Sequence, residues 1–136
     1  MSSQTLFKRH FQYPPISSSE AHGRVNLIGE HTDYNNGLVL PTLIEQKIEI
    51  SLGPRSDTQI VGISEEFGEN TVLSDSKTDG TWIDFVRGAL HYMAEEGHPI
   101  SGLDISVMSS IPTGSGLTSS AAFEIALLRA VCQMLE

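Results

Sequence analysis

The run LIEQKIEISL, Leu43 to Leu52, most narrows what this chain can fold into. Ile44, Ile48, Ile50 and Leu52 fall on one side, and Glu45, Lys47, Glu49 and Ser51 on the other. That period of two predicts a β-strand with one face in a core and one wet face. The apolar face needs a covering layer, and TWIDFVRGALHYMAEEG, residues 81–97, offers one. Its Trp82, Phe85, Val86, Ala89, Leu90 and Met93 follow helical spacing, with Thr81 and Asp84 as a capping box and Gly97 and Pro99 as a stop.

Four further runs read as strands: RVNLIG from Arg24, TQIVGIS from Thr58, the weaker NTVLS from Asn70, and GLDISVM from Gly102. TLFKRHF reads as a short N-terminal helix. Pro14, Pro15 and the serines Ser17 to Ser19 set that segment apart from a body beginning near Glu20, so the expected division is an extension over 1–20 and a domain over 21–136. SSAAFEIALLRAVCQMLE, Ser119 to Glu136, is a helix apolar on nearly every side, which belongs inside a protein. It lacks a stop signal, so the domain is expected to continue past Glu136. With both strand runs and helical runs present, the chain reads as α+β.

At 136 residues the chain has the size of one domain. Its 17 acidic and 8 basic residues, net charge -9, argue against a nucleic-acid surface. Cys132, the single cysteine, has no intramolecular disulfide partner, and no apolar run has signal-peptide or membrane-spanning length. The expectation is a cytoplasmic protein without a membrane partner.

Two stretches carry chemistry. In IPTGSGLTSSAAFE, Ile111 to Glu124, Gly114 and Gly116 allow close backbone approach, while Thr118, Ser119 and Ser120 bring hydroxyls and N–H groups to a helix start. Such a loop either caps the helix or binds phosphate; it is neither a Walker loop nor a dinucleotide fingerprint. In GRVNLIGEHTDYNNGLVLP, Gly23 to Pro41, the residues Arg24, Glu30, His31 and Asp33 crowd the end of a strand. Three readings fit them. They form turn caps with a Glu30–Arg24 ion pair, or a metal site, or a polyol site, whose vicinal hydroxyls suit closely spaced carboxylates and an imidazole.

GRVNLIGEHTDY closely resembles the galactokinase signature, and PTGSGLTSSAA resembles the phosphate loop of the wider GHMP small-molecule kinases. The resemblance implies a GHMP-kinase N-terminal domain, ribosomal protein S5 domain 2-like, a mixed sheet with helices on one face. It implies that Glu30, His31, Thr32 and Asp33 hold galactose or a close analogue, with catalytic Arg24 beside the anomeric oxygen. It further implies that Gly114, Ser115, Gly116, Leu117, Thr118, Ser119 and Ser120 wrap the phosphates of ATP, that Ser120 helps hold Mg²⁺, and that Ser64 touches the nucleotide. The activity implied is transfer of the ATP γ-phosphate to galactose, giving galactose 1-phosphate. The alternative is a non-catalytic remnant or sugar sensor. Where the family has Pro, this chain has His22, and the family's catalytic aspartate falls beyond Glu136.

Elsewhere, His10, His91 and His98 read as surface or satisfied residues, Trp82, Phe85 and Met93 as core, and Cys132 as a buried small hydrophobe.

Overall fold

The computed structural model describes residues 2–28, 40–65, 68–73, 82–111 and 119–135. In chain order these are α1 (Ser3–Phe11), β1 (Ser17–Ile28), β2 (Leu40–Arg55), β3 (Gln59–Ser64), β4 (Gly68–Leu73), α2 (Ile83–Glu95), β5 (Gly102–Ser109) and α3 (Ser119–Met134). The five strands form one sheet in the order β1-β2-β5-β3-β4. β3 and β5 are parallel and the other pairs antiparallel, so the sheet is mixed, as expected.

The alternation of β2 decides the layers. Ile48, Ile50 and Leu52 pair with Ser109, Val107 and Ile105 of β5, and Ile105 sits beside Gly62 of β3. These positions share one face, and α2 and α3 cover it with Ile83, Val86, Leu90, Met93, Ala126, Leu127, Ala130 and Val131. Burying this apolar set is the main drive to fold. A Cβ on Gly62 would stand 2.8 Å from Trp82 Cζ2, so this strand has room for the indole only because the residue is Gly.

α1 departs from the expected arrangement of helices on one face. It lies against the opposite face, where Ser3 Oγ meets Ser51 Oγ at 2.8 Å and Ser106 Oγ donates to the Ser3 carbonyl at 2.7 Å. Phe7 is fully buried there, in a space that exists because position 53 has no side chain: a Cβ on Gly53 would meet Phe7 Cζ at 2.7 Å. Tyr13 donates to Asp104 Oδ2 at 2.6 Å, and Arg55 Nη1 donates to Asp104 Oδ1 at 2.8 Å. Burial first, then the bond to Asp104, raises the Tyr13 hydroxyl above its ordinary range.

The serine run expected as a separator is instead the opening of β1. Serine is a poor strand former, but here each hydroxyl has an acceptor or partner. Ser17 Oγ donates to the Ala130 carbonyl at 2.8 Å, Ser19 Oγ donates to the Ala126 carbonyl, and Ser18 Oγ meets Ser51 Oγ at 2.8 Å. The expected capping box lies partly outside the described residues. Trp82 is the N-cap of α2 with no side-chain cap, Asp84 pairs with Arg87 at 2.6 Å, and Thr81 lies outside them. The buried stripe of α2 is rotated towards Ile83, leaving Phe85 exposed. Gly97, at φ +90, ends the helix as expected.

Two outcomes follow from this packing. Gly62→Val drives a side chain into the Trp82 ring, so we expect a loss of about 1–3 kcal/mol and a red-shifted emission from the single tryptophan; an unshifted spectrum contradicts the contact. Asp57 is held at about 2 chiefly by hydrogen bonds from Arg55, below its ordinary 3.8. Its contribution is fully present above 3.8 and is lost as pH falls through about 2. Asp57→Asn should therefore flatten the fall of melting temperature across that acid window, and an unchanged slope contradicts the pairing.

Candidate functional site

β1, β3 and β5 run in the same direction, since β2 is antiparallel to both β1 and β5, and β3 is parallel to β5. The C-terminal ends of these three strands therefore lie at one end of the sheet. β1 ends at Ile28, just before the polar cluster; β3 ends at Ser64; β5 ends at Ser109, just before the Gly/Ser segment. Glu30, His31, Thr32, Asp33, Gly114, Ser115, Gly116, Leu117 and Thr118 themselves lie outside the described residues. What is described is the frame that holds the ends of their segments.

The ends are not level. Ile48 of β2 pairs with both Ala21 and Ser109, and Leu40 pairs with Ile28. The β1–β2 ribbon thus runs roughly 25 Å past the end of β5, at about 3.3 Å per residue. Arg24 pairs with Leu43 on this ribbon, directly after a register shift between His22 and Arg24. The irregularity coincides with the position where His22 replaces the family's Pro. Ser64, 6% exposed, pairs with Val107 across β5 and sits roughly 14 Å from β1, three strand spacings away.

α3 brings the second motif to this ribbon. The contacts Ser17–Ala130 and Ser19–Ala126 show the helix running against the direction of β1. Ser119 lies roughly 10 Å beyond Ala126 along the helix, the rise of about three strand residues. Ser119, at the start of α3, is therefore level with His22, two residues before Arg24 on the same strand. The first turn of α3 carries no acidic residue, so nothing in it offsets the partial positive charge of the helix N-terminus. Ser119 and Ser120 open this helix, whose N-terminus favours an anion. No cluster of three or more His, Cys, Asp or Glu that could hold a metal occurs among the described residues.

Residues set aside in the sequence have satisfied roles. His10 Nε2 lies 2.7 Å from Glu69 and His91 Nε2 lies 3.1 Å from Glu95. Cys132, expected to be buried, is exposed, because α3 turns its alanines rather than this side chain to the sheet. Sequence reasoning missed the serines of β1 as the contacts that align α3; their alternation at 17 and 19 was the available signal.

No helix among the described residues is long and apolar enough to cross a membrane. The galactokinase galactose-binding signature matches residues 5–54, and the GHMP kinases N terminal domain matches residues 84–136. A galactokinase of Chloroflexus aurantiacus is 37% identical over 128 residues, 89% of this chain and 32% of that protein. This chain therefore spans about a third of the length of that relative. The crystal structure of Lactococcus lactis galactokinase complexed with galactose superposes with a TM-score of 0.72 at 33% identity, covering 82% of this chain and 30% of that one. The Methanococcus jannaschii mevalonate kinase gives a TM-score of 0.75 at 19% identity, over 88% of this chain and 40% of that one, a likeness of fold. Both family models, the mixed sheet and these relatives agree in matching this chain to the N-terminal part of galactokinases within the GHMP kinases.

Proposed function

We propose that the protein is a sugar 1-kinase of galactokinase type, transferring the γ-phosphate of ATP to the anomeric hydroxyl of galactose, and that this chain supplies its sugar- and phosphate-binding part. The observation that carries the reading is the shared direction of β1, β3 and β5, with the start of α3 level with His22, two residues before Arg24. A donor site and an acceptor site must adjoin for phosphoryl transfer, whose catalysis is mostly positioning and charge stabilisation.

In this reading Glu30, His31, Thr32 and Asp33 hydrogen-bond the sugar hydroxyls, and Arg24 offsets charge at the transferring group. Gly114 to Ser120 hold the ATP phosphates through backbone N–H groups and hydroxyls, and Ser64 meets the nucleotide at the end of β3. Ser120 offers an oxygen ligand of the kind Mg²⁺ takes, and the bound ion supplies charge neutralisation between phosphate oxygens. With β1 opening at Ser17 rather than near Glu20, residues 17–136 then form part of a GHMP-kinase N-terminal domain, and the residues before them an extension whose helix α1 is laid against its second face. The cytoplasm is the proposed setting. Galactose is the proposed substrate because the galactose-complexed relative shares 33% of its aligned residues with this chain.

Calorimetric titration with galactose tests this assignment. Asp33→Ala should lower the affinity by about 1.5–3 kcal/mol, the range for hydrogen bonds to a charged group, with melting temperature unchanged. Unchanged galactose affinity in a folded variant contradicts it. Stoichiometric zinc binding without nucleotide would instead restore the metal reading of the cluster.

A further inference from the structure

α3 lies along β1 on a row of alanines. Ala122, Ala126 and Ala130 are all buried and recur every four residues. Methyl groups in a row let helix and strand approach closely but form no ridge for a groove to hold, so this contact by itself allows the helix to slide along the strand. The polar bonds across it do not. Ser17 Oγ donates to the Ala130 carbonyl at 2.8 Å, and Ser19 Oγ donates to the Ala126 carbonyl. Two strand residues advance about 6.6 Å and four helical residues about 6 Å, so the repeats match and both bonds form at once. The next position that satisfies both lies a full four residues away, about 6 Å along the helix.

The other contacts of α3 leave its axial position to these hydroxyls. Phe123, Leu127 and Val131 belong to the core that α3 shares with α2 and β2, and they supply its burial. Arg129 Nη1 reaches the Glu20 carbonyl at 3.1 Å, yet it does so on a long, exposed side chain that can follow a moving helix. Serine carries its oxygen one rotatable bond from the backbone, so each serine bond fixes the strand backbone against the helix backbone. The same strand carries Arg24, five residues beyond Ser19, and leads into the polar cluster.

Given the phosphate site proposed at the start of α3, we infer that Ser17 and Ser19 are positioning residues: acting through α3, their hydroxyls set how far the donor phosphates stand from Arg24 and the sugar. β1 is then the common rail of both substrates. Positioning contributes most of phosphoryl-transfer catalysis, and a misplacement of about 1 Å costs about a hundredfold in rate. Each helix carbonyl keeps its bond within α3 when the hydroxyl is removed, so Ser17→Ala and Ser19→Ala leave no buried group unpaired and the fold intact.

Two measurements on the 136-residue chain test this role: calorimetric titration with MgATP and with galactose, and NMR line broadening by a nitroxide on Cys132. Cys132 is the single cysteine and is exposed on α3, two residues past Ala130, so its label reports where the helix stands along β1. In the unaltered chain the broadening of β1 amides should centre near Ser17 and fade towards Arg24. Ser17→Ala combined with Ser19→Ala should displace or spread that profile and weaken MgATP about fivefold or more, while galactose affinity, set on β1 itself, stays unchanged. Ser19→Thr keeps the hydroxyl and should retain both profile and affinities. Ser18→Ala, whose hydroxyl meets Ser51 on the other face, should change neither. A combined variant that loses galactose and MgATP affinity together has a general structural defect and overturns the positioning role. So does a combined variant whose MgATP affinity or broadening profile is unchanged. An unaltered chain that binds no MgATP overturns the kinase reading, and the positioning role with it.

Discussion

β2 is the strand on which the rest of this architecture depends. It pairs with β1 along one edge and β5 along the other, and its alternation separates two chemically different faces. Ile48, Ile50 and Leu52 present an apolar surface that α2 and α3 bury. Ser51 and Gly53 present a small, polar surface that admits Ser3 and Phe7 of α1. A register slip by one residue would exchange these faces and leave both layers mismatched, so the pairing of β2 is strongly specified.

The same strand sets the geometry of the candidate site. Because β2 opposes both neighbours, β1 and β5 must run together, and the parallel pairing of β3 to β5 adds a third strand end. Hydroxyls of Ser17 and Ser19 then fix α3 along β1, bringing a helix N-terminus without acidic residues beside the ribbon that carries Arg24. The strands that lead into two motifs far apart in sequence end at one end of the sheet for reasons of backbone direction alone. On the proposed reading, that shared end is where a sugar and a nucleotide would meet.

Much of this was legible in the chain. The strict alternation of residues 43–52 and the helical period after Trp82 reflect burial of one face, and burial leaves a periodic trace. β1 was legible only in its apolar half, because its first half uses serines satisfied by α3 carbonyls and by Ser51, partners distant in sequence. The cover provided by α1 was missed for a related reason: it depends on Gly53 leaving space for Phe7, which no local pattern announces. The exposure of Phe85 and Cys132 likewise depends on how each helix is rotated against the sheet, and periodicity alone sets that only to within a neighbouring position. For the site, residue types and spacing suggested a polar cluster and a phosphate loop, but the shared end of the strands that lead into them required the strand directions.

In the proposed function, sugar and nucleotide bind at the single end where β1, β3 and β5 terminate. Backbone amide shifts followed by NMR, during titration first with galactose and then with Mg²⁺ and ATP, test it most directly. Galactose should perturb residues 24–33 and nucleotide should perturb Ser64 and residues 114–120, while the amides of Tyr13, Arg55 and Asp104 on the α1 face remain still. Perturbations centred on the α1 face, or sugar and nucleotide responses at opposite ends of the sheet, would contradict it.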